Sequence, residues 1–454
     1  MKVCKFGGSS LADAKQMKKV WSIIQGDPER RVIVVSAPGK RDKNDFKVTD
    51  KLIALANAIT SHYEARQLIE DIAERYAAIA QDLGMVEDFG GFVKADLDER
   101  IDRWKHNPSA LTNALKAAGE DLCAQLVTMY FEDQGIKCAY LSPKDIGFFL
   151  ESKVSGASLI RGSYKRIGEH IRQALELNEL VVIPGFFGFS EDGEQIYTFS
   201  RGGSDISGSI VAAAVDAELY ENWTDVDAVY AISPGIYPQA YPIRELTYHE
   251  MRELAYAGFS VIHEAALEPL MAKEIPLKIL NTNNPSARGS IVCAERSDFD
   301  NIVTGVAGTR GFVSIRIAQY LMNREVGYIK RILDIFERYH IPIEHMPTGI
   351  DSMTLIVRDY YFPQEKAELV LRDLQNELKP DEIDVMRDLA IVMIVGDAMA
   401  KTVGVAKRAV TALADAGINI DLMIQESSEI SIIFGVRAHF CTYAVLELYK
   451  AFFH

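Results

Sequence analysis

The chain is poor in two features, long apolar runs and cysteines. Its longest apolar stretches fall well short of the roughly 20 residues that span a bilayer, and its first residues, Met1–Phe6, lack the apolar core of a signal peptide. The five cysteines are odd in number and include no C-x-x-C pair, which argues against a disulfide framework and a zinc knuckle. We therefore expect a cytoplasmic protein whose thiols are reduced.

Basic residues are also in short supply. The 454 residues include 49 Lys and Arg against 64 Asp and Glu, which gives a formal net charge of −15. Such a charge repels nucleic-acid phosphates and anionic membranes, so we expect neither as a partner. The hydrophobic fraction of 48% and the lack of low-complexity tracts are typical of a globular chain, and the length predicts more than one domain.

Motifs of several other enzyme classes are missing. There is no G-x-x-x-x-G-K-[ST] and no G-x-G-x-x-G, which excludes a P-loop and a dinucleotide-binding fingerprint. The H-R-D motif of protein kinases is absent too. His263-Glu264 opens an H-E-x-x-H pattern, but position 267 is leucine. We therefore interpret His263 as structural and predict no metal-binding side chains.

The first two thirds of the chain alternate short β-rich runs with amphipathic helical stretches. This pattern predicts a mostly parallel α/β sheet with helices on both faces. The predicted strands are Val3–Phe6, Val32–Ser36, Lys137–Leu141, Val181–Pro184, Leu219–Trp223 and Leu277–Leu280. The predicted helices are Leu11–Ile24, Asp50–His62, Leu68–Leu83, Gly119–Gln134, Ser204–Ala214 and His249–Ala257.

The last third contains an internal repeat with an offset of 77 positions, which brings Met322 onto Met399 and Met346 onto Met423. Polar positions match as well, so two helices of similar period do not explain the repeat. The first copy reads as a βαββαβ unit with the elements Phe312–Ala318, Val326–Tyr339, Ile341–Met346, Ser352–Arg358, Pro363–Glu377 and Glu382–Met386. The second copy lacks the last strand, and we expect Ile302–Val306 to take its place.

Two glycine pairs lead from a strand into a helix. In Lys5-Phe6-Gly7-Gly8-Ser9-Ser10, the bare backbone and the helix N-terminus can approach an anion beside Lys5. In Ser200-Arg201-Gly202-Gly203-Ser204-Asp205, Arg201 can grip a carboxylate through its planar fork. Two such loops, each with a cation, can bind two anionic substrates side by side. This arrangement favours a reaction that transfers a group from one anion to the other. The structural alternatives are a glycine turn beside a solvated lysine, and a helix capped by Ser204 with Asp205 favoured by the helix dipole.

A third cluster, Trp223-Thr224-Asp225 with Tyr230 further along, follows the carboxyl end of a strand. Open α/β sheets bind ligands at this edge. Asp225 and Tyr230 are therefore candidates for contacts to a ribose and a base, and a plain strand-end turn is the alternative.

Taken together, these motifs resemble one family. They are K-F-G-G-S-S, V-S-A-P-G-K at 35–40, G-F-F-G at 185–188, S-R-G-G-S-D at 200–205 and W-T-D-V at 223–226. In this order, and with the duplicated tail, they resemble the aspartokinases, which have an amino-acid kinase fold followed by two ACT regulatory domains. The resemblance implies a catalytic domain at 1–298, one ACT domain at 309–388, and a second formed by 299–308 plus 389–454.

The resemblance also implies an activity, in which the γ-phosphoryl group of ATP passes to the side-chain carboxylate of L-aspartate. The product is 4-phospho-L-aspartate, for lysine, threonine and methionine synthesis. A carboxylate acceptor is already ionised and needs no general base, which agrees with the lack of a catalytic histidine. The resemblance implies Mg²⁺ held mainly through the ATP phosphates, and it assigns these site residues: Lys5 and Asp205 to catalysis; Lys5, Gly7, Gly8, Ser9, Thr224, Asp225 and Tyr230 to ATP; and Ser36, Thr49, Glu120, Phe186, Arg201, Ser204 and Asp205 to aspartate.

The sequence departs from the family pattern at two places near the nucleotide. Ser260 stands where many members have a lysine, and Gly235 stands where many have an arginine. Two cations expected to face the phosphates are therefore missing.

The repeat implies an amino-acid effector, lysine or threonine or both, and at least a homodimer. The candidate effector residues are Met322, Glu325, Gly327, Glu344, Thr348 and Asp351, and an ordinary polar turn is the alternative. Two rival functions are a kinase of another amino acid, which the paired ACT repeat argues against, and a catalytically silent amino-acid sensor.

Overall fold

The structure, a computed structural model, describes residues 1–59, 62–153, 156–199, 202–259, 261–297, 301–425 and 430–454. The chain folds as two compact units. The first comprises Met1–Val229, Pro242–Ala255 and Ser260–Asp298, and the second comprises Tyr230–Tyr241, Tyr256–Phe259 and Phe299–His454. In the described part of the chain, no helix is long and apolar enough to cross a membrane.

The first two thirds of the chain contain both strands and helices, with four successive helices between the second and third strands. The strands are β1 (Lys2–Phe6), β2 (Arg30–Val35), β3 (Cys138–Tyr140), β4 (Leu150–Lys153), β5 (Gly156–Leu159), β6 (Leu180–Pro184), β7 (Phe187–Phe189), β8 (Ile196–Thr198), β9 (Leu219–Thr224), β10 (Val229–Tyr230), β11 (Pro242–Ile243), β12 (Glu245–Thr247), β13 (Leu277–Asn281) and β14 (Ser290–Cys293). The helices are α1 (Ala14–Gln25), α2 (Val48–Ala58), α3 (His62–Leu83), α4 (Phe89–Trp104), α5 (Pro108–Asp133), α6 (Ser163–Leu177), α7 (Gly203–Ala214), α8 (Tyr248–Tyr256) and α9 (Leu267–Ala272).

The main sheet of the first unit has the strand order β12-β14-β13-β9-β1-β2-β6-β3. Among the described residues its pairs are parallel, except that β13 and β14 run antiparallel. The predicted mostly parallel α/β sheet is thus confirmed. β1 lies between β2 and β9, and its Val3, Cys4 and Phe6 side chains are fully buried. The carboxyl end of β1 therefore opens at the centre of the sheet edge that binds ligands in α/β folds.

Helix α5 begins well before its predicted start at Gly119. The Asn107 side chain accepts a hydrogen bond from the Ala110 backbone N–H at 3.2 Å, and Pro108 occupies the first turn. A capping amide followed by proline is a strong helix start. The longer helix places about three additional turns before Gly119, and the last of them contains Lys116.

The second unit contains an antiparallel sheet covered by helices. Its strands are β15 (Gly305–Ala318), β16 (Ser352–Arg358), β17 (Glu382–Val395), β18 (Leu422–Gln425) and β19 (Ser431–Arg437). Its helices are α10 (Tyr328–Arg338), α11 (Gln364–Glu377), α12 (Val405–Asp415) and α13 (Cys441–Phe453). The strand order is β16-β15-β17-β19-β18.

Strands β15 and β17 are long and pair with each other along their lengths. Val306 pairs with Ile394 in the half that belongs to the second copy, and Ile317 pairs with Ile383 in the half that belongs to the first copy. Gly311, with φ 87°, lies where the register shifts. The residues before the first copy therefore do lie beside the second copy, although the strand begins at Gly305 rather than at Ile302. The three domain boundaries remain predictions.

One predicted strand, Ile341–Met346, is wrong. This segment makes only an isolated bridge, between His345 and Ile356, and forms no regular strand. The physical reason is Pro342, which has no N–H to donate to a ladder.

Candidate active site

A cleft of about 790 Å³ opens at the carboxyl ends of β1, β2, β6 and β9 in the first unit. The amino-terminal part of α2, the middle of α5 and the start of α7 complete its walls. The lining residues are Lys5, Gly7, Gly8, Ser9, Ser36, Ala37, Pro38, Gly39, Lys40, Lys47, Thr49, Asp50, Ile53, Lys116, Glu120, Phe186, Thr198, Phe199, Gly202, Gly203, Ser204, Asp205, Thr224 and Asp225.

Lys5 and Asp205 form an ion pair in this cleft. Lys5 Nζ lies 2.6 Å from Asp205 Oδ1, and the two side chains are only 9% and 12% exposed. Asn222 on β9 supports both groups, because its Oδ1 accepts from Lys5 Nζ at 3.4 Å and its Nδ2 donates to Asp205 Oδ1 at 3.2 Å. The ammonium group is thus held in one position. Sequence reasoning missed Asn222, although an amide within the predicted strand Leu219–Trp223 was a usable signal.

The first glycine loop is shaped by close backbone contacts. Gly7 N donates to the Trp223 carbonyl at 3.0 Å, and Gly39 N donates to the Gly8 carbonyl at 2.8 Å. A Cβ at Gly39 would lie 2.6 Å from the Gly8 carbonyl carbon, so no side chain fits there. Two glycine-containing loops, one after β1 and one after β2, therefore pack directly against each other.

The second glycine loop begins α7. Gly202 has φ 81°, a left-handed conformation that favours glycine, and it precedes the helix as its cap. The alternative in which Ser204 caps the helix is therefore wrong. Phe186 also has a positive φ of 74°, and its N–H donates to Ser207 Oγ at 2.9 Å. Ser200 and Arg201, the latter a predicted aspartate ligand, lie outside the described residues.

Glu120 is a buried acid on α5 that faces the cleft. It is 5% exposed, and its Oε2 has no hydrogen-bond partner among the described residues. Burial raises the pKa of its carboxyl to about 8, against a smaller opposing effect of the Ala37 backbone N–H. A buried, unpartnered carboxyl oxygen at a cleft wall suits a bound ammonium group.

The cleft brings together most of the predicted substrate and nucleotide residues. They are Lys5, Gly7, Gly8, Ser9, Ser36, Thr49, Glu120, Phe186, Ser204, Asp205, Thr224 and Asp225. Tyr230 belongs to the second unit, and Arg201 is outside the described residues, so their places at the site stay predictions. The cleft also contains Lys40, Lys47 and Lys116, which the sequence did not single out.

Comparison with known proteins decides the family. The model of the amino acid kinase family matches residues 1–281, and an ACT domain model matches residues 392–452. Aspartokinase 3 of Bacillus subtilis (strain 168) is 45% identical over 453 residues, which cover 100% of this chain and 99% of the relative. The chain belongs to the aspartokinase family.

Solved aspartokinase structures share the fold over the whole chain. The aspartate kinase of Clostridium acetobutylicum is 34% identical, with a TM-score of 0.84 and complete coverage of both chains. E. coli aspartokinase III in complex with aspartate and ADP, 23% identical, has a TM-score of 0.83 with the same coverage. The resemblance drawn from the sequence motifs is thus confirmed.

The predicted effector loop of this aspartokinase lies in the second unit. Gln319 N donates to the Asp351 carbonyl at 2.9 Å, and Leu321 N donates to Asp351 Oδ1 at 2.9 Å. Asn323 N also donates to the Ile350 carbonyl at 3.2 Å, so the predicted effector loop lies beside Asp351 on the predicted opposite side, which also includes Glu344 and Thr348. Glu325 pairs with Arg331, and Gly327, with φ 83°, precedes α10.

The other predicted effector residues are already engaged. Met322 is buried, and Thr348 forms a bridge with Met353. Glu344 Oε2 accepts from the hydroxyl of Tyr256 at 2.5 Å, within the same unit. Effector binding by these residues remains a prediction.

Proposed function

We propose that the chain transfers the γ-phosphoryl group of ATP to the side-chain carboxylate of L-aspartate and forms 4-phospho-L-aspartate, the first step towards lysine, threonine and methionine. One observation carries the proposal. A single cleft contains the Lys5–Asp205 pair, two glycine-rich loops and the buried, unpartnered oxygen of Glu120.

For this reaction the protein must mainly align the two substrates and neutralise negative charge. Aspartate is ionised at neutral pH, so its side-chain carboxylate attacks phosphorus without a general base. Lys5 stabilises the negative charge that spreads over the moving phosphoryl group, and Asp205 with Asn222 holds Lys5 in place. Glu120 receives the ammonium group, which orients the acceptor.

ATP is proposed to lie along the glycine loop of β1, with Thr224 and Asp225 near the ribose. Asp205 and Asp225 offer the oxygen ligands that Mg²⁺ prefers, but Asp205 is already paired with Lys5. We therefore expect Mg²⁺ to arrive with ATP and to be held mainly by its phosphates. There it would neutralise phosphate charge.

The activity is tested by an acyl-phosphate trapping assay. The purified chain is incubated with MgATP, hydroxylamine and one acceptor, and hydroxamate formation is measured. We expect product with L-aspartate and little with L-glutamate or N-acetyl-L-glutamate. A preference for another acceptor would make the chain a different amino-acid kinase, and no product with any acceptor would support the silent sensor.

We further propose that lysine or threonine, or both, inhibits the enzyme by binding to the ACT repeat, and that the chain forms at least a homodimer through that repeat. ACT domain similarity at 392–452 and the closely joined loops 319–327 and 348–351 support this proposal. An effector must bind a less active arrangement more tightly in order to inhibit.

If lysine or threonine inhibits, Glu325→Ala or Asp351→Ala should raise the inhibitory concentration by about fivefold or more. Uninhibited kcat should stay within about twofold, because both side chains belong to the second unit. Asp351→Ala also removes the acceptor for Leu321 N. Dose–response curves measure the effect, with Glu337→Ala on the exposed side of α10 as a control. Unchanged inhibition in both variants would show that these residues do not bind the effector, and dimer assembly would then be the remaining proposed role of the repeat.

A further inference from the structure

Residues Gly39–Lys47, here called the lysine loop, connect β2 to α2 and form part of the cleft wall. Gly39, Lys40 and Lys47 line the cleft, whereas Lys43 lies on the same loop outside it. Lys40, Lys43 and Lys47 are all exposed. The loop therefore presents some of its positive charges to the cleft and one to solvent.

A buried arginine fixes the lysine loop. Arg75 on α3 is 7% exposed, and its Nη2 donates to the Gly39 carbonyl at 2.9 Å and to the Ala12 carbonyl at 2.7 Å. Its Nη1 donates to Asp45 at 2.8 Å. One guanidinium thus ties both ends of the lysine loop to the segment that follows the first glycine loop. These contacts fix the backbone of the loop before a ligand arrives, which lowers the entropy cost of binding.

Lys40 is left without an ion pair. Asp45, a nearby acid on the same loop, forms ion pairs with Arg41 and Arg75 instead. These two guanidinium groups hold the pKa of the Asp45 carboxyl well below its usual range. No ion pair of Lys40 or Lys47 occurs within the described ranges. The charge of Lys40 is therefore available to a ligand in the cleft.

The position of Lys40 favours the phosphate side of the cleft. Lys40 directly follows Gly39, whose N–H donates to the Gly8 carbonyl and whose Cα packs on Gly8. Lys116, by contrast, lies one helical turn before Glu120, on the side proposed for aspartate. Lys40 is thus an additional cation beside the first glycine loop, next in sequence to the glycine that contacts Gly8.

The charge balance also calls for another cation there. In the absence of ligand, the charge of Lys5 is offset by Asp205 at 2.6 Å. Transfer of the phosphoryl group from ATP to a carboxylate brings two anions together. A positive charge in addition to that of the paired Lys5 therefore lowers the activation barrier of the transfer.

We propose that Lys40, on the loop whose backbone Arg75 fixes, binds the terminal phosphates of ATP. The inference rests on the proposed function. Its role is electrostatic: the ammonium group donates to phosphate oxygens and neutralises part of their charge.

The test compares Lys40→Ala with Lys43→Ala, which removes the same charge from the same loop outside the cleft. Titration calorimetry of the full chain with MgATP should show a dissociation constant about tenfold or more higher for Lys40→Ala, and less than twofold higher for Lys43→Ala. The dissociation constant of AMP, which has no terminal phosphates, should change less than twofold in both. Lys40→Arg should keep most of the MgATP affinity.

Kinetics provide the second measurement. Lys40→Ala should raise KM for ATP about tenfold while KM for aspartate stays within about twofold. MgATP affinity of Lys40→Ala within twofold of wild type, an equal loss of AMP affinity, or a selective rise in KM for aspartate would each overturn the inference. If the wild-type chain binds MgATP but phosphorylates no aspartate, the proposed function fails, and the calorimetric comparison still decides the role of Lys40.

Discussion

Replacing Lys5 with alanine is expected to lower kcat by about 10²-fold or more, while the dissociation constant of aspartate changes much less. The reason is that this ammonium group, 2.6 Å from Asp205 and held by Asn222, acts mainly on charge that develops as the phosphoryl group moves. An interaction made chiefly in the transition state appears in kcat rather than in ground-state binding. Steady-state kinetics and calorimetry with aspartate measure the two quantities.

Lys5→Ala also leaves the Asp205 carboxylate buried without its partner, which destabilises the fold. Thermal unfolding of the variant therefore accompanies the kinetics, and the double variant Lys5→Met with Asp205→Asn removes both charges at similar volume. Loss of kcat in a variant that still folds and still binds aspartate supports the assignment. A kcat within a few-fold of wild type would remove Lys5 from the mechanism.

Aspartate is expected to bind more tightly as pH rises, with a dissociation constant that falls by about tenfold or more between pH 6.5 and 8.5. Burial raises the pKa of the Glu120 carboxyl from 4.5 to about 8 in the free chain, so this group is mostly protonated at neutral pH. The ammonium group of aspartate favours the ionised carboxylate. Binding at pH 7 should therefore release up to one proton.

Calorimetry in buffers of different ionisation enthalpy measures the proton release directly. In Glu120→Gln, the proton release and the pH dependence should both disappear, together with much of the affinity. Aspartate affinity in the wild type that is independent of pH over this range would exclude Glu120 as the ammonium ligand.

The same carboxyl links stability to pH. Its folded-state pKa is raised, so its stabilising contribution is present below about pH 4.5 and is lost as pH rises through about 8. Relative to wild type, Glu120→Gln should therefore gain melting temperature as pH increases across that window.

The sequence was sufficient for the features that depend on local pattern. The strand at Val3–Phe6 and the two glycine pairs were predicted in place, because apolar runs and glycine report directly on burial and on close backbone contact. The family motifs then led to most of the residues that line the cleft.

Features that depend on distant contacts could not be predicted in the same way. Nothing near Arg75 in the sequence indicates that it reaches Gly39, Asp45 and Ala12. The role proposed for Lys40 rests partly on that contact. The amide of Asn222 could be noticed within its predicted strand, but its contact with Lys5 could not, since strand pairing across 217 positions brings the two together.

Local signals were also overlooked. Asn107-Pro108 marks the start of α5, yet the apolar spacing favoured Gly119. Pro342 should have excluded a regular strand at Ile341–Met346. In both places the conformational preferences of proline and of the capping asparagine determine the backbone, and the apolar pattern does not.

Strands β15 and β17 join the two repeats into one five-stranded sheet. Each of these strands runs from one repeat into the other, so the two repeats are built on the same two strands. Cutting out either repeat would expose unpaired strand edges in the other, which are prone to aggregation. We therefore expect the two repeats to unfold together rather than one at a time.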